Sequence, residues 1–221
     1  MMNHLLNEQE HAMTTPAIKL YGVSLSGHCH RVELMLRMLD LPFEYIQAGA
    51  DVRATQEFLQ LNPLGKIPVL VDGDLVIADS NAILVYLAKR YAANSSWLPE
   101  DAVEAAHVQR WLSIAAGELR HGPASARMTV LWNMQGEVDL ALANAISTRL
   151  LRMMDAHLAT RQYLATARPT IADLACYSYI AHAHEGRISL SPYPAITAWL
   201  QRIENLPQFV PMPSSSIPEA A

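Results

Sequence analysis

The run Asn62-Pro63-Leu64-Gly65-Lys66-Ile67-Pro68-Val69-Leu70-Val71-Asp72-Gly73-Asp74-Leu75-Val76-Ile77-Ala78-Asp79-Ser80 constrains this chain more than any other stretch. Val69-Leu70-Val71 and Leu75-Val76-Ile77 are apolar and rich in β-branched residues, and the Asp-Gly between them calls for positive φ in a tight hairpin. The pattern predicts two buried antiparallel strands. Pro68 forces Ile67 to be extended and has no N–H for a ladder, so pairing stops there and leaves the N–H and C=O of Ile67 free. An extended peptide lying alongside would complete both bonds. Asp79-Ser80 precedes Ile83, Leu84, Leu87 and Tyr91, an apolar stripe at helical spacing, so these two residues cap a helix and aim its free N–H groups outward. A carboxylate binds well at such a terminus. A well-capped hairpin and helix without a ligand fits the same local pattern.

Composition narrows the class. With 221 residues and an apolar fraction of 51%, the chain can bury one large core or two modest ones and is not a disordered protein. No apolar run approaches the roughly 20 residues of a membrane span, and the stretch from Met1 to Pro16 contains acids instead of a basic-then-apolar leader, which suggests a cytoplasmic protein. Met13 is a candidate start, with the residues before it a loose extension. The two cysteines, Cys29 and Cys176, stand far apart in different contexts and imply no disulfide framework. A net charge of −5 without any Lys/Arg cluster argues against nucleic acid or an anionic membrane as a partner.

The periodicity divides the chain in two. Ile18 to Tyr21 reads as a strand, Val32, Met35, Leu36 and Leu39 as a helical stripe ending at Leu41-Pro42, Phe43 to Ile46 as a second strand and Arg53 to Gln60 as a short helix. With the hairpin and its helix the order is β-α-β-α-β-β-α, over residues 16–92. Such alternation implies a mainly parallel sheet with the hairpin as an antiparallel pair. Ala92 to Asp101 reads as a linker, and residues 101–210 as helices throughout. Val103 to Leu119 forms one, interrupted by Gly122-Pro123; Val138, Leu142, Ala145, Ile146, Leu150, Met153 and Met154 mark another. Thr170-Ile171-Ala172-Asp173 is a capping-box pattern opening a helix through His184, and a last helix covers Ala195 to Asn205.

This arrangement resembles a cytosolic glutathione transferase, in particular a bacterial-type member with a serine at the catalytic position. The resemblance runs from about Ile18 to Phe209. It rests on Asn62-Pro63-x-Gly65-x-x-Pro68, on Asp79-Ser80-x-Ala82-Ile83 and on Leu20-Tyr21-Gly22 followed by Ser26 and Arg31. In the second half it rests on Thr170 to Asp173, then Tyr193-Pro194, Trp199 and Leu206-Pro207. It implies a thioredoxin-like first domain that binds glutathione as co-substrate and a helical second domain that forms the electrophile pocket. It also implies a cis Pro68, with the Ile67 backbone paired to the cysteinyl unit. Ser80 would hold the γ-glutamyl carboxylate and Asp79 its ammonium side, with Lys66 as a further contact and Arg53 a loosely matched one; His28, from its place at the helix start alone, is a candidate contact for glutathione or substrate, with a plain surface role as the alternative. It implies a twofold homodimer through the helix from Ser80 to Tyr91 and the helix from Val103 to Leu119.

Ser24 to Cys29 form the turn expected to face the thiol. Ser26 aligns with the family serine, and the same residue suits the role of N-cap for the first helix. Ser24 is its rival and Tyr21 reads as a buried strand residue; a cysteine at position 29 could form mixed disulfides with glutathione, but Cys29 shares the apolar face of Val32, Leu36 and Leu39, as an inert buried thiol more often does. His28 and His30, like His182 and His184, sit two apart on a helix and point in opposite directions, so no metal site is expected. The resemblance makes His107, Trp111, Ala115 and Glu118 candidate walls of the second pocket, although a Trp at this spacing is more often core than site. The expected function is a glutathione transferase that makes the thiolate for attack on an electrophile; the alternatives are a glutathione-dependent disulfide or peroxide reductase and a non-catalytic binding module of the same fold.

Overall fold

The computed structural model describes residues 17–132 and 139–218. Met13 as a start, Pro16 as the edge of the first domain and Val138 on its helical stripe lie outside the described residues. The first domain runs β1 (Ile18–Gly22), α1 (Gly27–Met38), β2 (Phe43–Gln47), α2 (Ala50–Arg53), α3 (Gln56–Leu61), β3 (Val69–Asp72), β4 (Leu75–Ala78) and α4 (Ser80–Tyr91). Where one helix was expected from Arg53 to Gln60 there are two, because the Thr55 hydroxyl caps a fresh start by accepting from Phe58 N.

The sheet order is β2-β1-β3-β4, and only β1 and β2 run parallel. β3 lies antiparallel to both β1 and β4, so the sheet is mixed and not mainly parallel. The expectation missed this because a helix between two strands does not oblige them to be neighbours; β3 inserts beside β1 in the reverse sense. Gly73, at φ 59, is the first of two turn residues between Asp72 and Leu75. β3 is in the core, but β4 is an edge strand with Leu75 and Val76 about two-fifths exposed (42% and 40%), so only one of the two hairpin strands is buried as expected.

The helical domain contains α5 (Ala102–Ala116), a wide helical turn at Arg120–Ala124, α6 (Ser125–Trp132), α7 (Leu140–Leu158), α8 (Ile171–Ala181), a tight turn at Ala183–Gly186 and α9 (Pro194–Glu204). Pro123 does not break the chain's course. It sits inside the π-type turn, whose wider ring tolerates a missing N–H, and α6 follows at once. α7 buries Ala143, Ser147, Leu150, Leu151, Met154 and Leu158, which leaves Leu142 and Ala145 of the expected stripe exposed.

α8 is the shared axis of the molecule. Every residue from Ile171 to Ile180 is buried, against α1, α4, α5 and α9. Thr170 and Asp173 form the full capping box, and Asp173 also accepts from Leu164 N and from the Trp199 indole, both at 2.9 Å. His182 and His184 do not diverge, because the chain leaves the α-helix at His182 and the tight turn stacks their rings 5.9 Å apart. The segment after α9 returns across the first domain: Val210 C=O accepts from His30 Nε2 at 2.8 Å, and Met212 is buried. His30 Nδ1 is then the acceptor for the Ser178 hydroxyl, and burial keeps this imidazole neutral, its pKa lowered to about 4.

Candidate active site

Three backbone features converge where β1 and β4 end and β3 begins. The first is the turn from Val23 to Ser26, closed by Ser26 N–H donating to Val23 C=O at 3.0 Å. Ser26 caps α1: its Oγ accepts from Cys29 N at 3.4 Å, a long bond that leaves the hydroxyl proton free. The second is the loop before β3. Asn62 is buried, donates from Nδ2 to Lys66 C=O and accepts from Leu64 N, and so closes a rigid loop ahead of Ile67. The Ile67–Pro68 bond is cis, and Ile67 takes part in no backbone hydrogen bond among the described residues. The third is the start of α4. Asp79 is the cap, at φ 77, and its Oδ1 accepts from Asn81 N and Ala82 N.

Ser80 is therefore not a second cap but the first helical residue. Its hydroxyl is buried, 3.3 Å from Arg31 Nη1 and 3.3 Å from His28 Nδ1. Arg31 is itself buried, also donates to Asn81 Oδ1 at 3.0 Å, and has no partner for Nε and Nη2 among the described residues. His28 rests edge-on against Tyr179 of α8. Burial first, then Arg31 and Arg120, holds its pKa well below the usual imidazole value, so it is a neutral group near pH 7. Gly27 makes this approach possible, since a Cβ there would meet the Tyr179 ring at 2.9 Å.

The structure thus brings Ser26, His28 and Ser80 to one place, with Arg31 linking the two helix starts. Lys66 is exposed, and only its C=O is engaged, with Asn62. Arg53 is half-buried and donates to Gly49 C=O. Ser24 is exposed on the turn, and Tyr21 is half-buried, with its ring on Phe58. Cys29 is fully buried beside the Tyr45 hydroxyl. Burial pushes its thiol above the ordinary range, against the smaller opposing pull of Ser26 and Val23. Trp111 and Ala115 are buried in the core cluster that both domains share, whereas His107 is exposed.

The second domain reaches the site through Arg127 of α6, which the sequence reading missed. Its Nη1 donates to Leu25 C=O at 2.9 Å, one residue before Ser26, and its Nε to buried Glu185. A lone arginine in the apolar run Ser125 to Leu131 was the one available signal.

Residues 20–95 match the family model described as "Glutathione S-transferase, N-terminal domain", and residues 134–207 match "Glutathione S-transferase, C-terminal domain". The chain is 32% identical over 202 residues to Glutathione S-transferase 3 of Zea mays, covering 87% of this chain and 91% of that one. It belongs to the glutathione S-transferase family. Among solved structures, the glutathione S-transferase of Pseudomonas fluorescens superposes with a TM-score of 0.82 at 34% identity, covering 89% of this chain and 98% of that one. A glutathione transferase homologue of Drosophila mojavensis, solved with bound glutathione, superposes with a TM-score of 0.78 at 30% identity over 86% of this chain and 88% of that one. Both transferase domains, and the order in which they occur, are therefore present here. No helix of the described residues is long and apolar enough to cross a membrane.

Proposed function

We propose that this glutathione transferase activates the thiol of glutathione with Ser26 and passes the sulfur to an electrophile held by the helical domain. The free backbone edge at Ile67, beside an N-cap serine whose proton is uncommitted, is the observation that carries this reading. Glutathione would lie along Ile67 as a short added strand. Ser80, Asp79 and the start of α4 would receive the γ-glutamyl end, with Lys66, His28 and Arg53 around the rest. Burial of Cys29 favours transfer over thiol-disulfide chemistry at that residue.

The energetics suffice. A free thiol of pKa ~8.5 is mostly protonated at neutral pH, and lowering it by about two units takes roughly 2.7 kcal/mol. A hydroxyl donating to a charged sulfur supplies about 1.5–3 kcal/mol, and a helix N-terminus adds roughly 0.3–1 kcal/mol. Ser26 and the first turn of α1 meet the requirement with no metal and no general base. The serine stays neutral and donates; the thiol proton leaves to solvent.

Ser26→Ala is expected to keep the fold and glutathione binding but to lose about 100-fold in kcat/KM near pH 6.5, recovering as bulk ionisation takes over at higher pH. Cys29→Ala should change little. A pH profile in which Ser26→Ala matches the unaltered chain, while Cys29→Ala abolishes activity, would replace this mechanism with a thiol-disulfide one.

The exposed apolar side chains of Leu64, Leu75, Val76, Tyr91 and Val103 lie on β4, α4, α5 and the loop before β3. They support assembly as a twofold homodimer. Sedimentation should give about twice the 24.4 kDa chain mass, and a monomer at micromolar concentration would refute it.

A further inference from the structure

We infer that Arg127 is a positioning residue for the Ser26 hydroxyl, and that Glu185 and the C-terminal segment at Ser215 hold Arg127 in place for that task. The inference rests on the proposed role of Ser26. A peptide unit is planar, so the C=O of Leu25 and the N–H of Ser26 belong to one rigid plate. That plate is held from both sides: Ser26 N–H donates to Val23 C=O within the turn at 3.0 Å, and Leu25 C=O accepts from Arg127 Nη1 at 2.9 Å. Its orientation sets φ of Ser26, which is −90°, and with it the direction of the Cβ–Oγ bond. The cap bond to Cys29 N is too long, at 3.4 Å, to fix the hydroxyl alone.

Arg127 is 1% exposed and 102 residues from Leu25 in sequence, so its own placement needs an anchor. Glu185, 0% exposed, provides it. One carboxylate oxygen takes Arg127 Nε at 2.5 Å; the other takes His182 Nδ1 at 3.0 Å and the Ser215 N–H at 2.8 Å. Burial acts to raise this carboxyl, but Ser215, His182 and Arg127 together outweigh it, and it stays ionised. Gly186 admits the arrangement, because a Cβ there would lie 2.8 Å from Arg127 N. The guanidinium also lies over the Trp132 ring, 5.3 Å from its centroid. One buried ion pair thereby joins the helical domain, the C-terminal segment and the turn that carries Ser26. A point-like ammonium cannot serve Glu185 and Leu25 C=O together, whereas the planar fork does.

The test is Arg127→Lys, which keeps the charge and a partner for Glu185, with the neutral pair R127Q/E185Q as the second variant. Glutathione thiolate is read from its ultraviolet difference absorbance on the enzyme across pH, beside kcat and KM and the melting transition. The bound thiol pKa should rise by about one unit in both variants, with roughly tenfold lower activity near pH 6.5 that recovers at high pH. The KM for glutathione should move by less than about twofold. A folded R127K whose bound thiol titrates as in the unaltered enzyme overturns the inference, as does a rise in KM that accounts for the whole loss. If R127K does not fold, the same readings on the neutral pair decide it. Ser26→Ala, measured in parallel, separates the two ideas. If it leaves the bound thiol pKa unchanged, the Ser26 reading fails and this inference with it. If it raises that pKa while the Arg127 variants do not, only the positioning role fails.

Discussion

The N-termini of α1 and α8 both carry a capping hydroxyl, and they differ in how much of their hydrogen-bonding capacity the fold itself uses. At α8, Thr170 accepts from Ala172 N, and Asp173 accepts from the Thr170 N–H and hydroxyl, from Leu164 N and from Trp199 Nε1, all fully buried. At α1 the Ser26 hydroxyl makes one long bond, no acid stands in the first turn, and the cap is only half-buried. The first terminus is closed around the fold. The second keeps a donor in reserve, beside a backbone edge at Ile67 and two nitrogens of buried Arg31 that have no partner among the described residues. Polar groups satisfied by the protein report on stability; those left over at a cleft report on a ligand.

Substitution at the two caps should separate these roles. Asp173→Ala leaves four buried donors without their acceptor, at about 1–3 kcal/mol for each left unsatisfied, so a loss on the order of 3 kcal/mol or more is expected in urea unfolding. A loss below about 1 kcal/mol would show that the closed terminus does not hold the domain. Ser80→Ala falls between the two: glutathione KM should rise about fivefold or more with kcat little changed, since the proposed role of this hydroxyl is to hold the γ-glutamyl end and not the sulfur. An unaltered glutathione affinity would remove Ser80 from the site. Ser26→Ala should produce the smallest stability change, about 1 kcal/mol or less, despite its large effect on turnover. A stability loss matching that of Asp173→Ala would erase the contrast between the two termini.

Most elements could be read directly. The stripes of α1 and α4, the hairpin turn at Gly73, the Pro68 boundary and the Thr170–Asp173 box that opens α8 are each written within a few neighbouring residues, where side-chain period and turn chemistry act locally. Ser26, Ile67 and Ser80 were legible as candidates for the same reason: cap, pre-proline and helix start are local signals. The errors were of another kind. The sense of β3 against β1, the exposure of β4 and the face that α7 buries depend on which element arrives from elsewhere. Burial on two faces of one helix cannot be ranked by period alone.

The sequence by itself therefore determined the order of elements, where helices begin and which backbone edge is free, because those follow from propensity and sterics over a few residues. Only the tertiary structure decided that Arg127 reaches Leu25 across 102 residues, that Glu185 receives the N–H of Ser215, and that His30 fastens the segment at Val210. Such pairings leave no periodic trace in the chain. They form because a charge or polar group buried by the fold must find a partner there, and the partner is whichever segment the packing brings within reach.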